Sequence, residues 1–119
     1  MDSTVKDSST STLSSFQREV DQFLQQYKEG YFPPLALLAR LTEEVGEFAR
    51  EINHQFGPKK KKPEEPVGSP AEELADILFV VICFANVLGV DLEQAYREVM
   101  TKYRVRDSQR WTRRTSELP

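Results

Sequence analysis

The residues of this chain best suited to chemistry are six carboxylates in two short clusters. Glu43, Glu44 and Glu47 fall within Leu41-Thr42-Glu43-Glu44-Val45-Gly46-Glu47-Phe48, and Glu72, Glu73 and Asp76 stand just ahead of the most apolar run in the chain. In a helix, residues three or four apart share a face, so Glu44/Glu47 and Glu43/Glu47 are forced together. Two like charges ~4 Å apart repel by roughly 1 kcal/mol in bulk water and by about 4 kcal/mol at an effective dielectric of ~20. A cation reverses that sign. One such cluster is the ordinary pattern of a solvated acidic face, but here it is echoed: Glu44/Glu47 and Glu73/Asp76 repeat the same i, i+3 spacing. If their helices pack antiparallel, four oxygen-bearing side chains converge. All-carboxylate sites suit hard cations, and Mg²⁺ is usually held by a few carboxylates together with water and substrate phosphates. The pattern points to phosphate chemistry.

The elements that must position these groups all read as helices. Residues 1–12 are Ser/Thr-rich without periodicity and are expected to be a disordered leader. Ser14 with Gln17 resembles a capping box, and Phe16, Val20, Phe23, Leu24 and Tyr27 make an amphipathic stripe ending near Gly30. Pro33-Pro34 opens a second helix with Leu38, Leu41, Val45, Phe48 and Ile52 as its stripe. At 100° per residue, Glu44 borders that stripe, Glu47 lies a step further round and Glu43 points away. Gly46 costs ~1 kcal/mol relative to Ala in a helix interior and permits close approach.

Residues 56–69 are a Pro/Gly/Lys loop, read as a mobile connection, with a lid carrying Lys59 to Lys62 onto a polyphosphate as the alternative. Ser69-Pro70-Ala71-Glu72 starts a third helix, giving Glu72 a capping task and leaving Glu73 and Asp76 for a ligand face. From Ile77 to Phe84 this helix is apolar all round, which implies cover from a partner subunit. Gly89 ends it. Asp91 with Gln94 begins a fourth helix whose stripe is Leu92, Ala95, Tyr96, Val99 and Tyr103, with Lys102 and Arg106 near its edge. Residues 109–119 form a basic tail around Trp111.

Composition narrows the classes. A chain of 119 residues is one domain, and a net charge of −3 argues against a general nucleic-acid binder. The lone Cys83 excludes an internal disulfide framework and a cysteine-based zinc site, and fits a reducing cytoplasm. The polar N-terminal stretch gives no sign of a secretory signal, and Ile77 to Val90 is too short to span a bilayer.

Together, Glu43-Glu44-Val45-Gly46-Glu47, then Glu73-Leu74-Ala75-Asp76 before Ile-Leu-Phe-Val, then Leu88-Gly89-Val90-Asp91 and a helix carrying Lys102, resemble the MazG-like nucleotide pyrophosphohydrolases of the all-α NTP pyrophosphatase superfamily, in their short single-domain form. The resemblance runs from about residue 16 to Trp111. It implies an all-α, four-helix bundle-like fold over residues 13–108 that assembles into homodimers or homotetramers with the bundle shared between subunits. It also implies Mg²⁺-dependent (Mn²⁺ as substitute) hydrolysis of (d)NTPs to the monophosphate and pyrophosphate, a house-cleaning activity. Carried over residue by residue, Glu44, Glu47, Glu73 and Asp76 match the metal ligands, with Glu44 and Glu47 as the catalytic pair. Glu43 matches a supporting acid, and Lys102 and Arg106 match phosphate-binding positions. His54 stands where a base contact is expected, although base-stacking aromatics of relatives have no secure counterpart. Two rivals remain: a carboxylate di-iron bundle, which needs Glu-x-x-His pairs this chain lacks, and a non-catalytic helical interaction module with solvated acidic faces.

Overall fold

The computed structural model describes residues 11–58, 61–64 and 68–114. Four helices and no strand occur among them: α1 (Leu13–Gln25), α2 (Pro34–Phe56), α3 (Pro70–Leu88) and α4 (Leu92–Asp107). The all-α expectation holds. The leader's residues 1–10, the lysines at 59 and 60, and residues 115–119 lie outside the described residues.

Local chemistry sets most boundaries. Ser69 Oγ accepts the Glu72 amide proton at 3.2 Å and Pro70 occupies the first turn of α3. Gly89 ends that helix at φ +69°, a left-handed conformation that glycine reaches without a Cβ clash. Asp91 Oδ1 caps α4 by accepting the Gln94 amide at 3.1 Å, while the Gln94 side chain reaches forward to Glu98 at 3.2 Å. The first helix departs from expectation. Thr12, not Ser14, is its N-cap, and it forms a reciprocal capping box with Ser15. The helix also stops at Gln25, short of Gly30, because a tight turn intervenes before Gly30 takes φ +60°.

The core is centred on α3, which packs extensively on α2 and less so on α1, whereas α4 packs chiefly on α1. Its buried centre is Val20, Leu37, Val80, Ile82 and Cys83, with Phe16, Leu41, Phe79 and Phe84 packed against it. The α2 stripe is therefore rotated from the expected one. Leu37 is buried, while Leu38 and Val45 are about half exposed, at 50% and 47%. The cause is geometric: α2 is apolar over a wide arc, and one chain supplies α3 for only one side of it.

A polar staple fixes α1, the α1–α2 turn and the start of α4 around α3. The Asn86 side-chain amide donates to the Gln17 carbonyl at 3.0 Å and to the Tyr31 hydroxyl at 2.8 Å. Gln17 donates to Asn86 Oδ1 and to the Val90 carbonyl, each at 2.9 Å, and accepts the Leu92 amide proton at 2.8 Å. The Tyr31 hydroxyl donates to Asp21 at 2.7 Å, and burial together with that carboxylate pushes its pKa up to about 12. Beyond the staple, α4 turns away from α3 at 107° and buries no residue. The radius of gyration, 18.8 Å, exceeds the roughly 13–14 Å of a compact chain this long. No single described helix is long and apolar enough to cross a membrane.

Replacing Asn86 with Ala removes a hydrogen-bond partner from partly buried groups on two elements, Gln17 of α1 and Tyr31 of the α1–α2 turn. It is expected to lower stability by about 1–3 kcal/mol in thermal unfolding, while Gln94→Ala on the exposed face of α4 stays within about 0.5 kcal/mol of the parent.

Candidate metal centre

The contacts between α2 and α3 show that the two helices run antiparallel. Leu37 near the start of α2 meets Val80 and Cys83 far along α3, while Glu44 and Glu47 further along α2 meet Glu73 near the start of α3. This arrangement brings one carboxylate oxygen each from Glu44, Glu47 and Glu73 to within 4.8 Å of one another. Glu44 is buried at 7% exposure, Glu73 is half-buried and Glu47 is open to solvent. The site is thus closed on the helix seam and accessible from one side.

Asp76, one turn along α3 from Glu73, stands outside that tight set, yet its charge acts on Glu73 and on Arg40. Glu43 is exposed, as its place on the helix requires. Desolvation, then the Glu47, Asp76 and Glu44 carboxylates, raise the Glu73 pKa. One cation answers part of this charge. Arg40, one turn before Glu44, donates from Nε to Glu44 Oε2 at 2.9 Å, and this hydrogen bond raises the guanidinium pKa. The other oxygens remain unanswered: Glu44 Oε1 and Glu73 Oε1 are buried and have no hydrogen-bond partner among the described residues. Orphaned buried carboxylate oxygens are costly, and a divalent cation satisfies several of them at once. The all-oxygen donor set fits Mg²⁺ or Mn²⁺ and is unsuited to zinc or iron–sulfur chemistry.

The remaining candidates are not gathered here. Lys102 and Arg106 lie on α4; Arg106 pairs with Asp107 at 2.8 Å and stacks over Tyr103, with its guanidinium carbon 4.6 Å from the ring centroid. His54 is half-buried two turns beyond Glu47 on α2, and its Nδ1 has no hydrogen-bond partner among the described residues. Within the Lys loop, Lys61 pairs with Glu51 of α2 at 2.7 Å. Gly68 lies so close to the Glu51 carboxylate that any Cβ there would collide with it, so the loop's return passes tightly over this part of α2. Sequence reasoning missed Arg40 and Glu51. Both had a signal: Arg40 precedes Glu44 by four residues, the spacing of a helical ion pair, and Glu51 follows Glu47 by four on the same face.

Residues 32–111 match the MazG nucleotide pyrophosphohydrolase domain family. The uncharacterized protein YpjD of Bacillus subtilis strain 168 is 53% identical over 106 residues, covering 89% of this chain and 96% of its own. The crystal structure of YpjD from Bacillus subtilis, described as a candidate pyrophosphatase, superposes with a TM-score of 0.71 at 50% identity over 83% of this chain and 98% of that one. The Bacillus-conserved MazG protein, a nucleotide pyrophosphohydrolase, superposes with a TM-score of 0.67 at 45% identity over 92% and 98% of the respective chains.

The carboxylate cluster sets a pH dependence. Because the folded state raises the Glu73 pKa above its ordinary 4.5, it holds that proton more tightly than the unfolded chain does. The resulting stabilisation is fully present below the ordinary value and is lost as pH rises through the raised one. Denaturant midpoints of the metal-free protein should therefore carry a component that falls as pH rises through the raised value, and Glu73→Gln should remove it.

Proposed function

This chain belongs to the MazG nucleotide pyrophosphohydrolase family, and from that membership we propose that it hydrolyses (d)NTPs to the corresponding monophosphate and pyrophosphate. Glu44, Glu47, Glu73 and Asp76 would hold Mg²⁺, with Mn²⁺ as a substitute. The observation that carries this reading is the convergence of Glu44, Glu47 and Glu73 with two of their buried oxygens unpartnered among the described residues. When bound, such an ion supplies charge neutralisation and orientation for a triphosphate.

The chain's own groups divide the remaining work. Glu47 is the exposed acid of the cluster and faces entering water. It is the group placed to accept the proton as water adds across the phosphoanhydride, the bond to pyrophosphate breaks and pyrophosphate departs. Glu44 is held in one orientation by Arg40, so Arg40 acts as a positioning residue. Glu43 supports the cluster through charge alone. Phosphoryl chemistry needs positioning and charge stabilisation more than a covalent nucleophile, so the absence of a Ser or Cys nucleophile from the cluster is no obstacle.

We further read the protein as a homodimer or homotetramer. Leu38, Val45, Leu74 and Leu78 are exposed along α2 and α3, and α4 carries exposed Tyr96 and Val99. A second copy would cover such faces and would give Lys102 and Arg106 a route to the phosphates that α4 does not offer within one chain. A cytoplasmic, house-cleaning role fits a free, buried Cys83 and a nucleotide substrate.

Glu47→Gln and Asp76→Asn are each expected to reduce Mg²⁺-dependent pyrophosphate release by about 10²-fold or more while leaving the helical circular dichroism spectrum unchanged. Parental turnover in either variant would sink the assignment.

A further inference from the structure

We propose that the C-terminal end of α4 and the turn after it form a binding surface for single-stranded nucleic acid. Between Lys102 and Arg114 stand six cationic residues and one acid, Asp107, a net charge of +5 in a chain whose total is −3. The overall charge speaks against a protein whose whole surface follows a nucleic acid, and is no objection to one segment that does. A charge run alone is the ordinary pattern of a solvated helix end. What separates this one is an aromatic ring set among the arginines. Trp111, the chain's one tryptophan, is 66% exposed, and the Arg110 guanidinium carbon stands 5.2 Å from its ring centroid. The lone acid is already answered. Arg106 donates to Asp107 through two hydrogen bonds of 2.8 and 3.0 Å, and Arg110 lies 3.6 Å away. These cations, Arg106 first, hold the carboxyl below its ordinary range, so it opposes an incoming phosphate little.

The hollow beside the indole is separate from the phosphate-binding positions Lys102 and Arg106. It has a volume of about 370 Å³ and is lined by Arg104, Asp107, Ser108, Trp111, Thr112 and Arg113. At ~30 Å³ per water in the liquid, that is room for about twelve waters, which suits one base with part of its backbone. At 100° per residue, Arg104 lies about 180° around α4 from the midpoint of Lys102 and Arg106, so the two sets of cations face opposite ways. Arg104 and Arg113 are exposed, and neither enters an ion pair among the described residues. Thr112 adds a hydroxyl of the kind that donates to phosphate oxygens.

This combination selects the partner. Proteins that bind single strands join a cationic groove to aromatic side chains on which bases stack. A duplex keeps its bases stacked on one another, whereas a single strand presents them to an exposed indole. An anionic membrane surface calls for an apolar helix face beside the cations, and from Arg106 to Arg114 the one apolar residue is Trp111. An acidic protein surface would answer the arginines and leave the ring unused. DNA and RNA share the two features read here, an unpaired base and its phosphate, so the surface accepts either.

The test uses the full chain in chelator, which keeps metal-dependent nucleotide binding out of the measurement. Because Trp111 is the one tryptophan, its fluorescence reports on this surface alone. Deoxyuridine and uridine oligomers of about 12 nucleotides are each expected to quench it saturably, and inorganic polyphosphate, which has no base, is expected not to. The two oligomers differ only in the sugar and should bind alike. Anisotropy of labelled oligomers then serves the variants. Trp111→Ala should weaken binding by about tenfold, the scale of one lost base–aromatic stack, with its salt dependence unchanged. Arg104→Gln combined with Arg113→Gln should flatten the slope of log K against log salt by about 1.4, at ~0.7 per single-strand phosphate contact. Both variants should keep the circular dichroism and the oligomeric mass of the parent. No saturable quenching, equal affinity for polyphosphate, a strong preference for one sugar, or binding indifferent to Trp111→Ala would each overturn the surface. Tighter binding to phosphatidylserine vesicles than to either oligomer would overturn it in favour of a membrane. A changed oligomeric mass in the double arginine variant would overturn it in favour of a contact between copies.

Discussion

The constraint on which the rest of this structure depends is electrostatic: three carboxylates from two antiparallel helices are pressed within 4.8 Å of one another at a partly buried seam. Packing energy holds them there. The apolar contacts of Leu37, Val80, Ile82 and Cys83 fix the register of α2 against α3, and that register forces Glu44 and Glu47 to face Glu73. Arg40 supplies a directly bonded counter-charge to the cluster, and it reaches one oxygen of Glu44. The fold collects acids at the cost of core stability and leaves two of their oxygens buried and, among the described residues, unpartnered, which is a donor set a cation would satisfy.

The same economy explains the outer parts of the molecule. The staple of Gln17, Asn86 and Tyr31 ties α1, its following turn and the entry to α4 onto α3 without adding apolar cover. That leaves α4 projecting and the Leu38, Val45, Leu74 and Leu78 side of the helical pair exposed. Leu38, Val45, Leu74 and Leu78 therefore form an apolar surface that the chain's own described residues leave open.

Much of this was legible in the sequence, because its signals were local. The repeated i, i+3 acid pairs, the Ser69 and Asp91 caps and the glycine at position 89 act through their own neighbours, and the structure places each of those caps and stops where local chemistry demands. The beginning of α1 was misplaced because Thr12/Ser15 and Ser14/Gln17 both satisfy capping chemistry, and only the tertiary bond from the Ser14 amide to Glu93 at 3.0 Å favours the earlier start. The buried edge of α2 was rotated because a broadly apolar helix does not record which side its own chain will cover. Arg40 was readable from its spacing to Glu44.

The most direct test of the central claim is thermal unfolding of the parent protein and Glu73→Gln, each measured in chelator and again in millimolar Mn²⁺. If the cluster exists to bind a cation, removing one mutually repelling carboxylate makes the variant melt higher than the parent in chelator, and added ion reverses the order by stabilising only the parent. A melting order that is the same in both conditions, with neither protein responding to the ion, would contradict the account.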